Sequence, residues 1–232
     1  MVDSAFPSYA YDDDLIAATR HDGRTRVRVY RLAGTVAVLG SGSRPEAELN
    51  LDACRADDTP VLRRRGGGCA VVLDPGNVIV SVVATALPFG RHRQHFDALS
   101  AWLIDGLARI GVGSMRPAGI CDLVVGEKKV GGACLHRCRD LLYYTASLLI
   151  DPDVAMVARY LKHPPREPDY RRGRSHAAFM GSLAEVAWPD RSPDKRNGVD
   201  VERVAACLRR TLQPPKLPRR SPACTSASPT ER

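Results

Sequence analysis

The sequence lacks the marks of several protein classes. It has no run of about 18 apolar residues, so no membrane-spanning helix is expected. Met1 to Asp14 carries neither the basic start nor the apolar stretch of a secretory signal, and a cytoplasmic location is expected. The seven cysteines (Cys54, Cys69, Cys121, Cys134, Cys138, Cys207, Cys224) are odd in number and irregularly spaced, which argues against a disulfide framework. Their one tight group, Cys134-Leu-His136-Arg-Cys138, has one-residue gaps, too short for the usual zinc spacing, and reads as an ordinary strand. No helix-turn-helix and no stripe of aromatic and basic residues is present, so no nucleic-acid partner is expected. Internal repeats are also missing.

What is present fits one substantial globular domain: 232 residues, 44% apolar and 26% charged. The formal charge is +8. Residues 213–232, rich in Pro, Ser and Thr, hold Lys216, Arg219, Arg220 and Arg232 against Glu231 and are expected to be a disordered basic tail following a domain of residues 1–212. The rest remains mildly basic, which suits an anionic ligand or an acidic protein partner.

Period-two alternation in Val27–Leu32, followed by Val36–Leu39, predicts a hairpin. Further strands are predicted at Pro60–Leu62, Ala70–Leu73, Asn77–Ala86, Leu123–Val125, Lys129–His136 and Leu141–Ile150. Phe96, Leu99, Leu103, Leu107 and Ile110 form one face of a helix over Gln94–Ile110. Asp151-Pro152-Asp153 starts a second helix over Val154–Leu161, with the proline just inside it, and a last one spans about Val199–Leu212. Lys162–Arg174 is a proline- and arginine-rich loop, read either as a docking surface or as a solvated charged loop. Strands and helices are mixed without strict alternation, so the class is α+β.

Two stretches carry chemistry. In Arg63-Arg64-Arg65-Gly66-Gly67-Gly68-Cys69-Ala70-Val71-Val72-Leu73-Asp74-Pro75-Gly76-Asn77, three glycines leave a strand, where backbone N–H groups can form an anion-binding concavity. The adjoining arginines offer planar donor forks for carboxylate or phosphate. A flexible loop with solvated arginines is the alternative. In Cys121-Asp122-Leu-Val-Val-Gly126-Glu127-Lys128-Lys129-Val130-Gly131-Gly132, Gly126-Glu127 makes a turn that puts Lys129 at a strand start. A lysine there can neutralise charge developing on a phosphate or acyl oxygen.

Together these stretches resemble the lipoate–protein ligase and octanoyltransferase family. "RRRGGGCAVVLDPGN" is similar to its arginine-pair and Ser-Gly-Gly-Gly motif followed by Ala-Val, His-Asp and Gly-Asn. "CDLVVGEKKVGGA" is similar to its Asn-Asp-Leu and Gly-x-Lys-Lys-Ile-Ser-Gly-Ser-Ala stretch. "RVRVYRLAGTVAVLGSGS", "YYTASLLID" and "AMVARYLK" match in pattern and order over residues 10–212. Cys69, Leu73, Cys121, Gly131 and Ala133 depart from the family residues, and Arg171-Arg-Gly-Arg174-Ser175-His176 replaces its Ser-Arg-Val.

The resemblance implies a central mixed, largely antiparallel sheet flanked by helices, as in biotin and lipoate ligase catalytic domains. It implies ATP-dependent activation of lipoate or octanoate to an acyl-adenylate, then transfer to a lysine of an apo lipoyl-domain protein. Lys129 would be catalytic. Arg64, Gly66, Gly67, Gly68, Cys69, Ala70, Val71, Asp74, Asn77, Asp122, Val130, Gly131 and Gly132 would line the lipoate and adenylate site. Asp122 would help hold Mg2+, the dithiolane would rest on Val71 and Val80, and a separate chain could supply the accessory domain of larger ligases. Two other readings stay open. One is an octanoyltransferase forming a cysteine thioester, with Cys69 the best thiol because Cys134 has the opposite strand parity to Lys129 and lies about 17 Å away at strand rise. The other is a non-catalytic lipoate-binding module.

Overall fold

The computed structural model describes residues 6–85, 92–138, 140–186 and 200–217. A six-stranded sheet is built from β1 (Arg26–Tyr30), β5 (Asn77–Thr85), β6 (Met115–Ala118), β7 (Asp122–Val125), β8 (Lys128–Cys138) and β9 (Leu141–Leu149). Its order is β1-β5-β9-β8-β7-β6 and every neighbouring pair is antiparallel. A second sheet of β2 (Val36–Leu39), β3 (Val61–Arg63) and β4 (Val71–Leu73) contains the parallel pairing, between β2 and β3. The molecule is therefore α+β with a large antiparallel sheet and helices on its flanks.

Strand alternation divides the large sheet into two faces. Val29, Val78, Val80, Val82, Leu123, Leu135, Leu142, Tyr144 and Leu148 pack in one core with Leu99, Leu103 and Leu107 of α4 (His92–Ala108), Leu183 of α7 (Leu183–Val186) and Val204, Ala205 and Leu208 of α8 (Val201–Thr211). Asp200 caps α8 by accepting from Arg203 N, and Arg209 Nε donates to the Val29 carbonyl on the outer strand β1. No helix among the described residues is long and apolar enough to cross a membrane.

The small sheet covers part of the opposite face. Val36, Val38 and Leu73 pack with Ile79 of the large sheet, while Ala37, Leu39 and Val72 turn outward to Leu49, Cys54, Val157 and Tyr160. Those last residues belong to, or adjoin, the short helices α2 (Pro45–Glu48), α3 (Leu51–Ala56) and α5 (Val154–Tyr160). Beyond the small sheet, α1 (Asp13–Asp22) seats Leu15 and Ile16 on Val83, Leu141 and Tyr143. Asp12, 1% exposed, ties that helix down. Its Oδ2 accepts from Ser81 Oγ at 2.6 Å, Tyr143 Oη at 2.7 Å and Tyr30 Oη at 3.2 Å. Replacing Asp12 with alanine takes the acceptor from three hydroxyls at once and leaves Tyr30 only its Tyr9 partner. It should cost about 3 kcal/mol, a fall of roughly 10 °C in Tm by thermal denaturation.

The expected hairpin of Val27–Leu32 with Val36–Leu39 does not form. β1 pairs with β5 and β2 with β3 and β4, in different sheets. All four β2 residues are buried, so that strand needs apolar neighbours on both faces, which an outer position beside β1 would not supply. Pro152 lies before α5 rather than inside it, because Asp153 is the cap and accepts from Met156 N. Gln213–Leu217, expected to be unstructured, rests on α4: Trp102 Nε1 donates to the Gln213 carbonyl and Leu217 packs against the core. The predicted ends at Ala86 and Val199 and the remainder of the tail lie outside the described residues.

Candidate active site

Lys129 and Asp122 meet on the face of the large sheet away from α4. The register explains how. Asp122 pairs with Gly132 and Leu123 with Gly131, but Val124 pairs with Lys129, so Val130 is an extra residue on β8. A bulge reverses side-chain parity beyond it. Val130 turns into the helical core, and Lys129 comes round to the side of Asp122 and Gly132. Its Nζ lies 2.6 Å from Asp122 Oδ1, and a Cβ on Gly132 would stand 3.5 Å from that nitrogen. Gly132 is thus the floor under the lysine side chain. Past Gly131, β8 leaves β9 and takes the Met180–Gly181 segment instead, with Gly181 N donating to the Lys129 carbonyl.

The bulge also corrects the parity assigned to Cys134. Gly132 and Cys134 share a face, so Cys134 lies on the same side as Lys129. A Cβ on Gly66 would fall 2.7 Å from Cys134 Sγ, which shows how closely the glycine loop sits over this strand. Beneath the loop, Gly132, Cys134, Thr145 and Ser147 are half-buried, while Ala133, Ala146 and Leu148, facing α4, are buried. This accessible row of small residues leads away from Lys129.

Buried polar groups hold the loop in shape. Arg64 donates to the carbonyls of Val38, Gly67 and Cys69. Arg63, 7% exposed, donates to those of Gly40 and Ser43, and Arg65 pairs with Asp13 at 2.9 Å. The three guanidiniums are committed to struts and a surface ion pair, and the expected fork aimed at a ligand is not formed. Glu48, which no local pattern in the sequence singles out, is 7% exposed and accepts from Ala70 N at 2.5 Å. Ser43 Oγ lies 3.0 Å from Glu48 Oε2 and 3.2 Å from the Gly68 carbonyl. Gly67 and Gly68 remain exposed, while their carbonyls accept from Arg64 and Ser43.

The other predicted residues separate into two groups. Ala70 packs in the layer of α3 and α5, on the side of the small sheet away from Lys129, and Val71 is half-buried between the two sheets. Val80 is fully buried towards α4, so it cannot support a dithiolane on the lysine face. Asp74 and Asn77 build the β4–β5 turn. Asp74 Oδ1 accepts from Gly76 N and Asn77 Nδ2, and its Oδ2 accepts from Asp153 N, tying the turn to the cap of α5. Burial pushes the Asp74 carboxyl up.

Over Lys129 lies a roof that the sequence marked only as a basic loop. Tyr170, in the 3-10 turn Asp169–Arg171, donates its hydroxyl to Asp122 Oδ2 at 2.8 Å. Burial and the Asp122 charge push the Tyr170 phenol well up, so it stays a donor. Arg171 and Arg174 exchange Nε–H bonds with each other's carbonyls and both lie over the Phe179 ring, at 4.8 and 5.3 Å from its centroid. Arg174 also donates to the carbonyls of Glu127 and Tyr170, and Ser175 caps α6 (His176–Phe179). Arg171, Arg174 and Ser175 thus form an arch that sets Tyr170 against Asp122, while the Arg172 side chain stands outside it, exposed. Changing Tyr170 to Phe should leave Asp122 with one partner and slow the reaction roughly tenfold, with Tm lowered by only a few degrees; steady-state kinetics beside a melt would check it.

Each Asp122 oxygen already has one partner, Lys129 on Oδ1 and Tyr170 on Oδ2, so the carboxylate is first of all the anchor of this pair. Among the described residues no group of three or more His, Cys, Asp or Glu side chains is placed to hold a metal. Cys69 and Cys121 are poorly activated thiols. Burial first and Glu48 second push Cys69 up, and its Sγ lies 3.7 Å from the Arg166 carbonyl. Burial likewise raises Cys121.

Relatives share this architecture. The chain is 26% identical over 175 residues to lipoate-protein ligase A of Psychrobacter cryohalolentis, a match covering 75% of this chain and 49% of that protein. It thus spans about half the length of that curated relative. Among solved structures, it is similar to a bi-partite lipoate protein ligase from Thermoplasma acidophilum, described with its E2 lipoyl domain. The TM-score is 0.67 at 24% identity, covering 87% of this chain and 75% of that one. A lipoate-protein ligase A bound with ATP gives a TM-score of 0.67 at 22% identity, over 88% of this chain and 78% of that one. The family model of the lipoyl protein ligase A/B catalytic domain matches residues 4–212, and the chain belongs to that family.

Proposed function

We propose that this chain is the catalytic domain of a lipoate–protein ligase. In the first step the carboxylate of lipoate, or of octanoate, attacks the α-phosphorus of ATP and pyrophosphate leaves. In the second, the ε-amine of a lipoyl-domain lysine attacks the acyl carbon, AMP leaves, and the amine gives up a proton. Family membership and the relatives named above support this reading. The observation that carries it is the Lys129–Asp122 pair, on the same sheet face as Cys134, over which the glycine loop sits.

An ammonium fixed there counters charge on the phosphate as the carboxylate attacks, then polarises the acyl carbonyl for the incoming amine. Asp122 and Tyr170 hold it in place before substrate arrives, so little reorganisation is needed at the transition state. The exposed residues Gly67 and Gly68, whose backbone N–H groups can serve an anion, and the small residues Gly132, Cys134, Thr145 and Ser147 would line the site for the adenylate and the acyl chain. Mg2+ would travel with the ATP phosphates.

The octanoyltransferase alternative draws on Cys134, the thiol sharing the lysine's face. Incubating the chain with an apo lipoyl domain separates the readings. One arm supplies lipoate, ATP and magnesium, and the other supplies octanoyl-carrier protein without ATP, each with and without a candidate accessory chain. The ligase reading expects acceptor mass to rise only in the first arm. Modification in the second arm alone replaces it with the transferase, and binding of lipoate without modification in either arm leaves the non-catalytic module.

A further inference from the structure

We propose that the turn at Ile120, with Arg166 and Arg172 of the roof loop, is the docking surface for the acyl-accepting protein, an acidic domain that presents its lysine to Lys129. The proposal rests on the reading that a protein lysine receives the acyl group. Ile120 is 81% exposed; the other large exposed hydrophobic residue among those described is Tyr11, at 46%. A lone exposed isoleucine needs no explanation on most surfaces. This one is held at a defined place. Gly119 has φ +55°, and a Cβ there would lie 2.9 Å from Pro168 Cβ and 3.6 Å from the Tyr170 ring. The turn is therefore clamped against the roof, and the roof is bonded through Tyr170 to Asp122 and hence to Lys129. Ile120 stands two residues before Asp122, at the edge of the lysine site rather than on a distant surface.

The charges of the roof loop point the same way. His163 and Arg171 share Glu167, and Arg174 is used by three carbonyls. Arg166 and Arg172 are exposed and form no ion pair among the described residues, and Lys162 donates only to the Glu46 carbonyl. Against these three exposed cations the loop sets one exposed unpaired acid, Asp169. A positive rim beside an apolar knob fits a partner carrying acidic residues around a small apolar patch. A free small-molecule acyl acceptor would need neither.

The test measures binding and adenylation separately on the full chain. A fluorescently labelled apo lipoyl domain is titrated with the wild-type chain, Ile120→Ser, and Arg166→Glu/Arg172→Glu. Adenylate formation is followed in parallel as lipoate-dependent release of pyrophosphate without acceptor. Ile120→Ser is expected to raise Kd roughly tenfold. The charge reversal is expected to raise Kd more than about fivefold at low salt and to lose most of that effect near 1 M, where the Debye length is about 3 Å. Both variants should make adenylate at the wild-type rate. Unchanged Kd in both variants, or no binding by the wild type, overturns the surface. Weakened binding in a chain that makes no adenylate leaves the surface standing and removes the ligase reading instead.

Discussion

Replacing Lys129 with alanine should lower lipoyl-adenylate formation by about 10²–10³-fold, the usual consequence of removing one charge-stabilising donor from an active site. The loss has two parts. The ammonium that would face the reacting carboxylate and phosphate disappears, and Asp122, 6% exposed, loses its ion-pair partner and retains only the Tyr170 hydroxyl as a donor. That unpaired carboxylate should also lower stability by a few kcal/mol, so rate and melting temperature must be read together. The double variant Lys129→Met/Asp122→Asn removes the stranded charge. It should recover most of the stability and none of the rate. Lys129→Arg should remain slow, because a planar fork cannot replace a point charge lying against Gly132, where a Cβ would already be 3.5 Å from Nζ.

The second large effect is expected far from Lys129 in sequence. A Cβ on Gly40 would lie 1.9 Å from the Gly68 carbonyl oxygen and 3.1 Å from its carbon. Gly40→Ala must therefore push the glycine loop away. The loop cannot follow freely, because Ser43, Glu48 and Arg64 are hydrogen-bonded to it. Overpacking of this kind should cost about 2–3 kcal/mol, a fall in Tm of roughly 5–10 °C, with lipoate affinity reduced alongside. Gly67→Ala is the matched control, since nothing lies within 4 Å of a Cβ there. It should melt within about 2 °C of wild type while still weakening lipoate binding. Calorimetric melts and lipoate titrations of both variants would check the pair. A Gly40→Ala chain as stable as wild type would show that the loop is not clamped as described.

Much of the large sheet could be read from the chain because its strands carry their own pattern. β5 and β9 are valine- and leucine-rich runs bounded by turn residues, and α4 shows its buried Leu99, Leu103 and Leu107 at helical spacing. The helix α1 went unread although Asp13 and Asp14 in its first turn and Gly23 at its end are ordinary start and stop signals. β2 was legible as a strand but not in its pairing, which is decided by apolar partners more than twenty residues away.

The site divides in the same way. Lys129, Asp122 and the glycines stand in recognisable stretches. Their meeting depends on a bulge at Val130 that side-chain alternation alone would not reveal, and that omission put Cys134 on the wrong face. Glu48, Tyr170 and Gly40 were missed because each acts across the fold, on Ala70, Asp122 and Gly68 in turn. Asp74 and Asn77 were assigned to the ligand site, yet the oxygens of Asp74 are spent on the turn and the α5 cap. Short polar residues serve backbone geometry as readily as ligands, and sequence alone does not separate the two uses.

The most direct test of the account is lipoate-dependent exchange of labelled pyrophosphate into ATP, measured without any acceptor protein. The wild-type chain should catalyse exchange only when lipoate is present, and Lys129→Ala should reduce it by at least about a hundredfold. Exchange that persists in Lys129→Ala, or a wild-type chain that performs none yet transfers octanoate from a carrier protein, would contradict it.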